Sequence, residues 1–140
     1  MKAQESRVSD VKLIELPKVH NRAGNISAIN AALDVPFDIN RVYYLYDIPG
    51  GENRGAHAHC ELTQLLVAAS GSFEVELDDG IEKRSFHLKR PYEGLLLVPG
   101  IWRELKEFSS GSICLVLASH SYSEEDYMRN YQEFKLFKGI

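Results

Sequence analysis

Two histidines stand two positions apart, His57 and His59, in the stretch GENRGAHAHCELTQLLVAASG at positions 51–71. On an extended strand, residues i and i+2 point to the same face, so both imidazoles project together. The chain has five histidines, and the others, His20, His87 and His120, are scattered. A neutral imidazole with a pKa of about 6.5 suits proton transfer near neutral pH. Two close imidazoles resist double protonation, which keeps one of them available as a base. Arg54 precedes the pair. A guanidinium there can hold a phosphate or carboxylate bidentately, or stabilise an oxyanion. Tyr43 and Tyr44 sit in the run RVYYLY at 41–46, on opposite faces of a strand, so one of them faces inward. A tyrosine hydroxyl donates to, or exchanges a proton with, a developing enolate. Bases beside oxyanion donors suit removal of a proton next to a carbonyl. The bland alternatives are a surface ion pair of Arg54 with Glu52 and ordinary sheet packing of the tyrosines. Strict alternation places Arg54 on the face opposite His57 and His59. The three meet only if Gly55 breaks the strand.

Such groups need a rigid frame, and the hydrophobic pattern supplies strands. The segments 11–16 and 41–46 are apolar and β-prone, ended by Pro17 and by Pro49-Gly50-Gly51. Positions 62–69 are almost continuously apolar, as a strand buried on both faces would be. Positions 72–77 alternate, with Phe73, Val75 and Leu77 on one face and Glu74 and Glu76 on the other. Asp78-Asp79-Gly80 supplies a tight turn and 81–88 returns, the strongest hairpin signal in the chain. Segments 94–98 and 112–118 read as buried strands, and Pro99-Gly100 turns into 101–108. One helix is expected at the C-terminus, with Ser123 as N-cap and Glu124, Glu125 and Asp126 in its first turn. Tyr127, Tyr131, Phe134 and Phe137 share a face at helical spacing, which reads as packing onto the sheets, and Gly139 is the stop. About eight short strands make an all-β protein, a sandwich, jelly roll or small barrel with room for one small ligand.

Composition narrows the classes. A length of 140 residues fits one domain over 1–140. Against 16 Lys and Arg stand 20 Asp and Glu, a net charge of −4, which argues against a nucleic-acid surface. Apolar runs reach only five or six residues, whereas a membrane span needs about 18. The opening MKAQESRVSD is too polar for a signal peptide. Cys60 and Cys114 lack CxxC spacing. The expectation is a cytoplasmic protein with two reduced thiols and no membrane contact. Cys60 falls on the face opposite His59 and is expected to be inert.

The spacing Gly51, His57, His59, Gly71 resembles the first motif of the cupin superfamily, and Pro99-Gly100 resembles the turn of its second. In metal-binding cupins, two histidines and a glutamate from the first motif join a histidine from the second. Here Gln64 holds the glutamate position, and Ile101, Trp102, Arg103 and Glu104 follow the turn without a histidine. An amide is a poor ligand for a transition metal, and an arginine is none. The expectation is therefore no metal, with the histidines free for proton transfer.

The run RVYYLYDIPGGENRGAHAH, with GLLLVPGIWRELKEFSSGS, LVLAS and EEDYMRNYQEF, resembles the dTDP-sugar 3,4-ketoisomerases, small metal-free cupins. The resemblance covers positions 11–137. It implies a cupin-type double-stranded β-helix (jelly roll) with a short C-terminal helix, needing no cofactor. It implies isomerisation of dTDP-4-keto-6-deoxy-D-glucose to a 3-keto sugar through an enediol(ate). The product would feed a 3-amino-3,6-dideoxy sugar of an O-antigen, S-layer or antibiotic. It implies a homodimer with exchanged N-terminal strands. Carried over by position, His57, His59, Arg54 and Tyr43 are the expected catalytic residues. Tyr44, Gln64, Trp102 and Arg103 are expected at the sugar. Relatives often carry Asp-x-Arg-Gly where this chain reads Asn21-Arg22-Ala23-Gly24, and Arg or His at position 103. Both positions bear on the face at which C4 is reprotonated, so gluco and galacto products both stay open. Three other functions stay open too: a nucleotide-sugar 3,5-epimerase, a metal-dependent cupin and a non-catalytic sugar-binding cupin.

Overall fold

The alternation read along the chain becomes two facing layers. The computed structural model describes residues 2–140. In chain order the strands are β1 (Lys12–Glu15), β2 (Lys18–Asn21), β3 (Gly24–Ser27), β4 (Arg41–Leu45), β5 (Arg54–His59) and β6 (Gln64–Ser70). Then come β7 (Phe73–Asp78), β8 (Lys83–Leu88), β9 (Glu93–Leu97), β10 (Trp102–Lys106), β11 (Ile113–Ala118), β12 (Tyr127–Met128) and the helix α1 (Tyr131–Lys138). One antiparallel sheet has the order β1-β9-β6-β11-β4, and the other the order β12-β5-β10-β7-β8. This is the jelly roll that the resemblance implies, one of the three all-β forms the strand pattern left open. Its core lies between the sheets, where Leu66, Ala68, Leu97 and Val116 meet Phe73, Val75, Leu77 and Leu105. The continuous apolar run of β6 has a physical cause. Leu65 and Val67 point the other way, into a second cluster with Leu16, Val35 and Leu117. Sheet burial on both faces removes the alternation that a half-exposed strand shows.

The β7–β8 hairpin forms where expected, with a longer turn. Asp78 still pairs with Lys83, so Ile81 and Glu82 belong to the turn. The Asp79 carboxylate accepts from the N–H of Ile81 and Glu82 at 2.8 and 2.7 Å, and from Val8 N–H and Arg7 Nε at 2.9 and 3.0 Å. The hairpin β2–β3 was not foreseen. All of its residues are exposed, so no buried face left a pattern to read.

The C-terminal helix begins later than its acidic start signal predicts. Glu124–Asp126 form a 3-10 turn, and Tyr127 and Met128 pair with His59 and Ala58 as β12. The chain stays extended because Asp126 O accepts the Cys60 N–H at 3.0 Å. The true cap is Asn130, whose side chain accepts from the N–H of Gln132 and Glu133. Phe134 is buried with Ala58 and Met128, and Tyr131, Phe137, Cys60 and Trp102 pack around it. Only three of the four expected aromatics therefore pack outside the sheet. Tyr127 does not.

The turn before β10 is tied to both termini. Gly100 N–H donates to His59 O at 2.7 Å, and Gly100 O accepts from Lys138 Nζ at 2.9 Å. Lys138 Nζ also donates to Ala3 O and Ser6 O. Gly100 has φ +80, and a Cβ there would lie 2.0 Å from Ala3 O. Gly100→Ala is expected to destabilise the fold by roughly 2–4 kcal/mol, from left-handed strain plus the clash. Urea unfolding checks this, and an unchanged midpoint would refute it.

Candidate active site

Backbone geometry decides which side chains meet. In the β10–β5 pairing, Arg103 faces His57 while Leu105 faces Arg54. Between these pairs β5 advances by three residues and β10 by two. The extra residue is taken up at Gly55, whose φ of +75 suits glycine, making a β-bulge. The bulge reverses the alternation, so Arg54 lies on the same side as His57. Both line one cavity of about 200 Å³ between the sheets. Tyr43 of β4, Gln64 of β6, Arg103 of β10 and Tyr127 of β12 complete its polar wall.

A hydrogen-bonded row crosses the floor. Arg103 is 1% exposed. Its Nη1 donates to Gln64 Oε1 at 2.6 Å, and its Nε and Nη2 donate to Ile101 O at 3.2 and 3.1 Å. Gln64 Nε2 in turn donates to the Tyr43 hydroxyl at 3.0 Å. No carboxylate among the described residues pairs with Arg103. Burial lowers its pKa to about 10, so it remains a cation at neutral pH. An uncompensated buried charge is costly, and such groups cluster at functional sites.

The imidazoles lie beside this cation. Their ring centroids are 4.9 Å apart and nearly perpendicular, and Tyr127 lies 5.0 Å from His57 and 4.4 Å from His59. His57 is on the cavity wall. His59 is fully buried behind it, with Nδ1 2.9 Å from Asp126 Oδ2. Nε2 of each ring is buried without a hydrogen-bond partner among the described residues. Burial, then the charge of Arg103, then that of Arg129 lower the His57 pKa to about 3. Burial, Arg103 and His57 push His59 in the same direction. Both are neutral at physiological pH, and for a stronger reason than mutual repulsion.

The mouth is cationic. Arg41 lies over the rings of Tyr43 and Tyr122 at 4.5 and 5.1 Å, with its Nη1 unpartnered. Arg129 stacks on Tyr127 at 4.2 Å and is held by Glu124 at 2.7 and 3.0 Å. With Arg54 and Arg103, four arginines line the cavity, and no aspartate or glutamate does. That arrangement suits an anion.

The sequence missed Arg41, Asp126, Tyr127 and Arg129. Reading Asn130 as the cap would have freed 124–129 from the helix and exposed the last three. Two expected residues lie elsewhere. Tyr44 is 58% exposed on the outer face of β4, since alternation sends it opposite Tyr43. Trp102 alternates with Arg103 and packs against Tyr131 and Phe134 outside the sheet. Cys60 and Cys114 are free thiols away from the cavity, and burial raises both pKa values. The donors do not fit a metal ion. Gln64 is committed to Arg103 and Tyr43, and the Arg103 charge opposes a cation. Among the described residues, no three His, Cys, Asp or Glu side chains gather as ligands.

The family model described as "FdtA: WxcM-like, C-terminal" matches residues 9–139. A TDP-4-oxo-6-deoxy-alpha-D-glucose-3,4-oxoisomerase of Aneurinibacillus thermoaerophilus is 43% identical over 126 residues, 90% of this chain and 91% of its own. The chain belongs to this family. Solved structures agree with the family fold. A 3,4-ketoisomerase from Helicobacter canadensis matches with TM-score 0.91 and 40% identity, over 94% of this chain and 98% of that one. A sugar 3,4-ketoisomerase from Thermoanaerobacterium thermosaccharolyticum, in complex with TDP, matches with TM-score 0.93 and 35% identity, over 95% and 97%. A mutant of that enzyme was solved in complex with TDP-4-keto-6-deoxyglucose; it is 36% identical, with TM-score 0.90, over 92% and 94%.

The neutral histidines link the site to acid stability. Between the lowered native pKa of His57 and the unfolded value of about 6.5, the unfolded chain binds more protons. Stability is therefore full above about pH 6.5 and falls as pH drops, with a slope approaching 1.4 kcal/mol per pH unit for each such histidine, an order-of-magnitude figure. His57→Asn is expected to flatten the loss seen in urea midpoints between about pH 7 and pH 4. Equal slopes in the two proteins would refute the neutral assignment.

Proposed function

We propose that this protein is a sugar-nucleotide 3,4-ketoisomerase acting on TDP-4-keto-6-deoxyglucose. The observation that carries the reading is a neutral imidazole pair beside an uncompensated buried guanidinium, within a cavity lined by four arginines. The named relative acts on that sugar class, and the related structures hold TDP or the keto sugar.

The ketone at C4 acidifies the proton on C3. His57, on the cavity wall, takes that proton, and the electron pair moves onto the C4 oxygen. Arg103 and the Tyr43 hydroxyl stabilise the resulting enediolate, and Gln64 holds both in register. A proton moves between the C3 and C4 oxygens, and C4 is reprotonated as the ketone forms at C3. No atom is gained or lost. Arg54, Arg41 and Arg129 at the mouth hold the diphosphate. A bound dianion also offsets the arginine charges that depress the imidazoles, which strengthens His57 as a base when substrate is present.

The chemistry proceeds without a metal, as the committed side chain of Gln64 supports. Tyr44 and Trp102 have no part in the reaction in this reading. The enzyme works as a homodimer; since β1 pairs with β9 of its own chain, the part of the N-terminal region exchanged between subunits is the β2–β3 hairpin. Support comes from the bare hairpin β2–β3, whose Val19 and Ile26 are 62% and 66% exposed, and from exposed Val42 on β4. Two free thiols suit a cytoplasmic enzyme.

Incubation of the EDTA-treated protein with TDP-4-keto-6-deoxyglucose in D₂O, followed by NMR, tests the reading. The expected result is a 3-keto product with deuterium at C4, and its coupling assigns gluco or galacto. Deuterium at C5 with an unmoved ketone would point to 3,5-epimerisation. Turnover that returns only with added metal would overturn the metal-free chemistry.

A further inference from the structure

One short stretch, 123–129, brings three groups to the histidines from a side that the main sheet strands leave open. Asp126 lies behind His59, Tyr127 lies across both rings, and Arg129 stands on the cavity wall. Asp126 is held rigidly. Its N–H donates to Ser123 O at 3.1 Å, and its carbonyl accepts the Cys60 N–H at 3.0 Å. Its Oδ1 accepts the Glu61 N–H at 2.7 Å. Only Oδ2 remains, 2.9 Å from Nδ1 of His59.

The ring it meets has no other hydrogen bond among the described residues. His59 is fully buried, and Nε2 lacks any partner among the described residues. A neutral imidazole carries its proton on one nitrogen, and the hydrogen bond made by one nitrogen decides the state of the other. A carboxylate oxygen accepts, so it selects the proton on Nδ1.

We propose that Asp126 is a positioning residue that fixes the His59 ring and keeps its proton on Nδ1, leaving Nε2 as a proton acceptor beside His57. The consequence for turnover rests on the ketoisomerase reading, but the tautomer does not. A neutral His59 with its proton on Nε2 could not accept there. Replacing the carboxylate by an amide removes the preference, since an amide can donate to Nδ1 as readily as accept from it. Strand β5 alone cannot set it, because among the described residues no backbone carbonyl and no other side chain is bonded to either ring nitrogen.

The test uses the full-length wild-type protein labelled with ¹⁵N in its histidine rings, without substrate, with His59→Gln for assignment. The expected spectrum has a pyrrole-type Nδ1 and a pyridine-type Nε2 at His59. A pyrrole-type Nε2 overturns the proposal whether or not any variant folds. The second arm is kinetic. Asp126→Asn is expected to mix or reverse the tautomers and to lower kcat by about 10²–10⁴-fold, with KM for the nucleotide sugar little changed. A folded Asp126→Asn enzyme with wild-type kcat, or one in which KM alone changes, overturns it. If wild type gives the expected tautomer but does not isomerise the sugar, the positional assignment stands and the substrate reading fails.

Discussion

The buried guanidinium of Arg103 is the constraint on which the site depends. A cation at 1% exposure with an amide and a carbonyl for partners is strongly unfavourable in a protein interior. Its field reaches each neighbouring group. Burial first, and this charge after it, keep both imidazoles neutral, and the guanidinium fixes Gln64 and through it orients the Tyr43 hydroxyl. A negative charge developing in the cavity meets a cation already in place. The free energy spent on burying the guanidinium is recovered when an anion arrives.

The fold supplies what that arrangement needs. The bulge at Gly55 turns Arg54 into the cavity, and pairing of His57 with Arg103 sets imidazole and cation at adjacent strand positions. The Pro99-Gly100 turn, bonded to His59 O and held by Lys138, fixes the start of β10. Thus the end of the helix and the N-terminal segment, both remote from the cavity, secure the strand that carries Arg103. The extended stretch before α1 closes the other side with Tyr127 and Arg129.

Much of this was legible in the residues. Strand alternation gave the sheets, the His-x-His spacing gave one shared face, and Gln64 in place of a carboxylate pointed away from a metal site. The meeting of Arg54 with the histidines hinged on Gly55, and glycine in a strand is a signal without a direction until the register is known. The helix start is displaced by long-range contacts. Three acids after Ser123 satisfy a dipole argument, yet Asp126 is worth more against His59 and the Glu61 N–H. Long-range contacts override local propensity there. Trp102 is expected at the sugar by resemblance, and in the structure it alternates with buried Arg103 and packs against Tyr131 and Phe134. The hairpin β2–β3 carried no periodic pattern because neither of its faces is buried in one chain.

The central claim is that burial and Arg103 together hold the paired imidazoles neutral. Its most direct test is a ring-carbon NMR titration of His57 in the wild-type protein and in Arg103→Gln. The expected wild-type ring shows no inflection from about pH 8 to pH 5, and the variant titrates at a higher pH than wild type. A wild-type inflection near the ordinary histidine value, or identical curves in the two proteins, would contradict it.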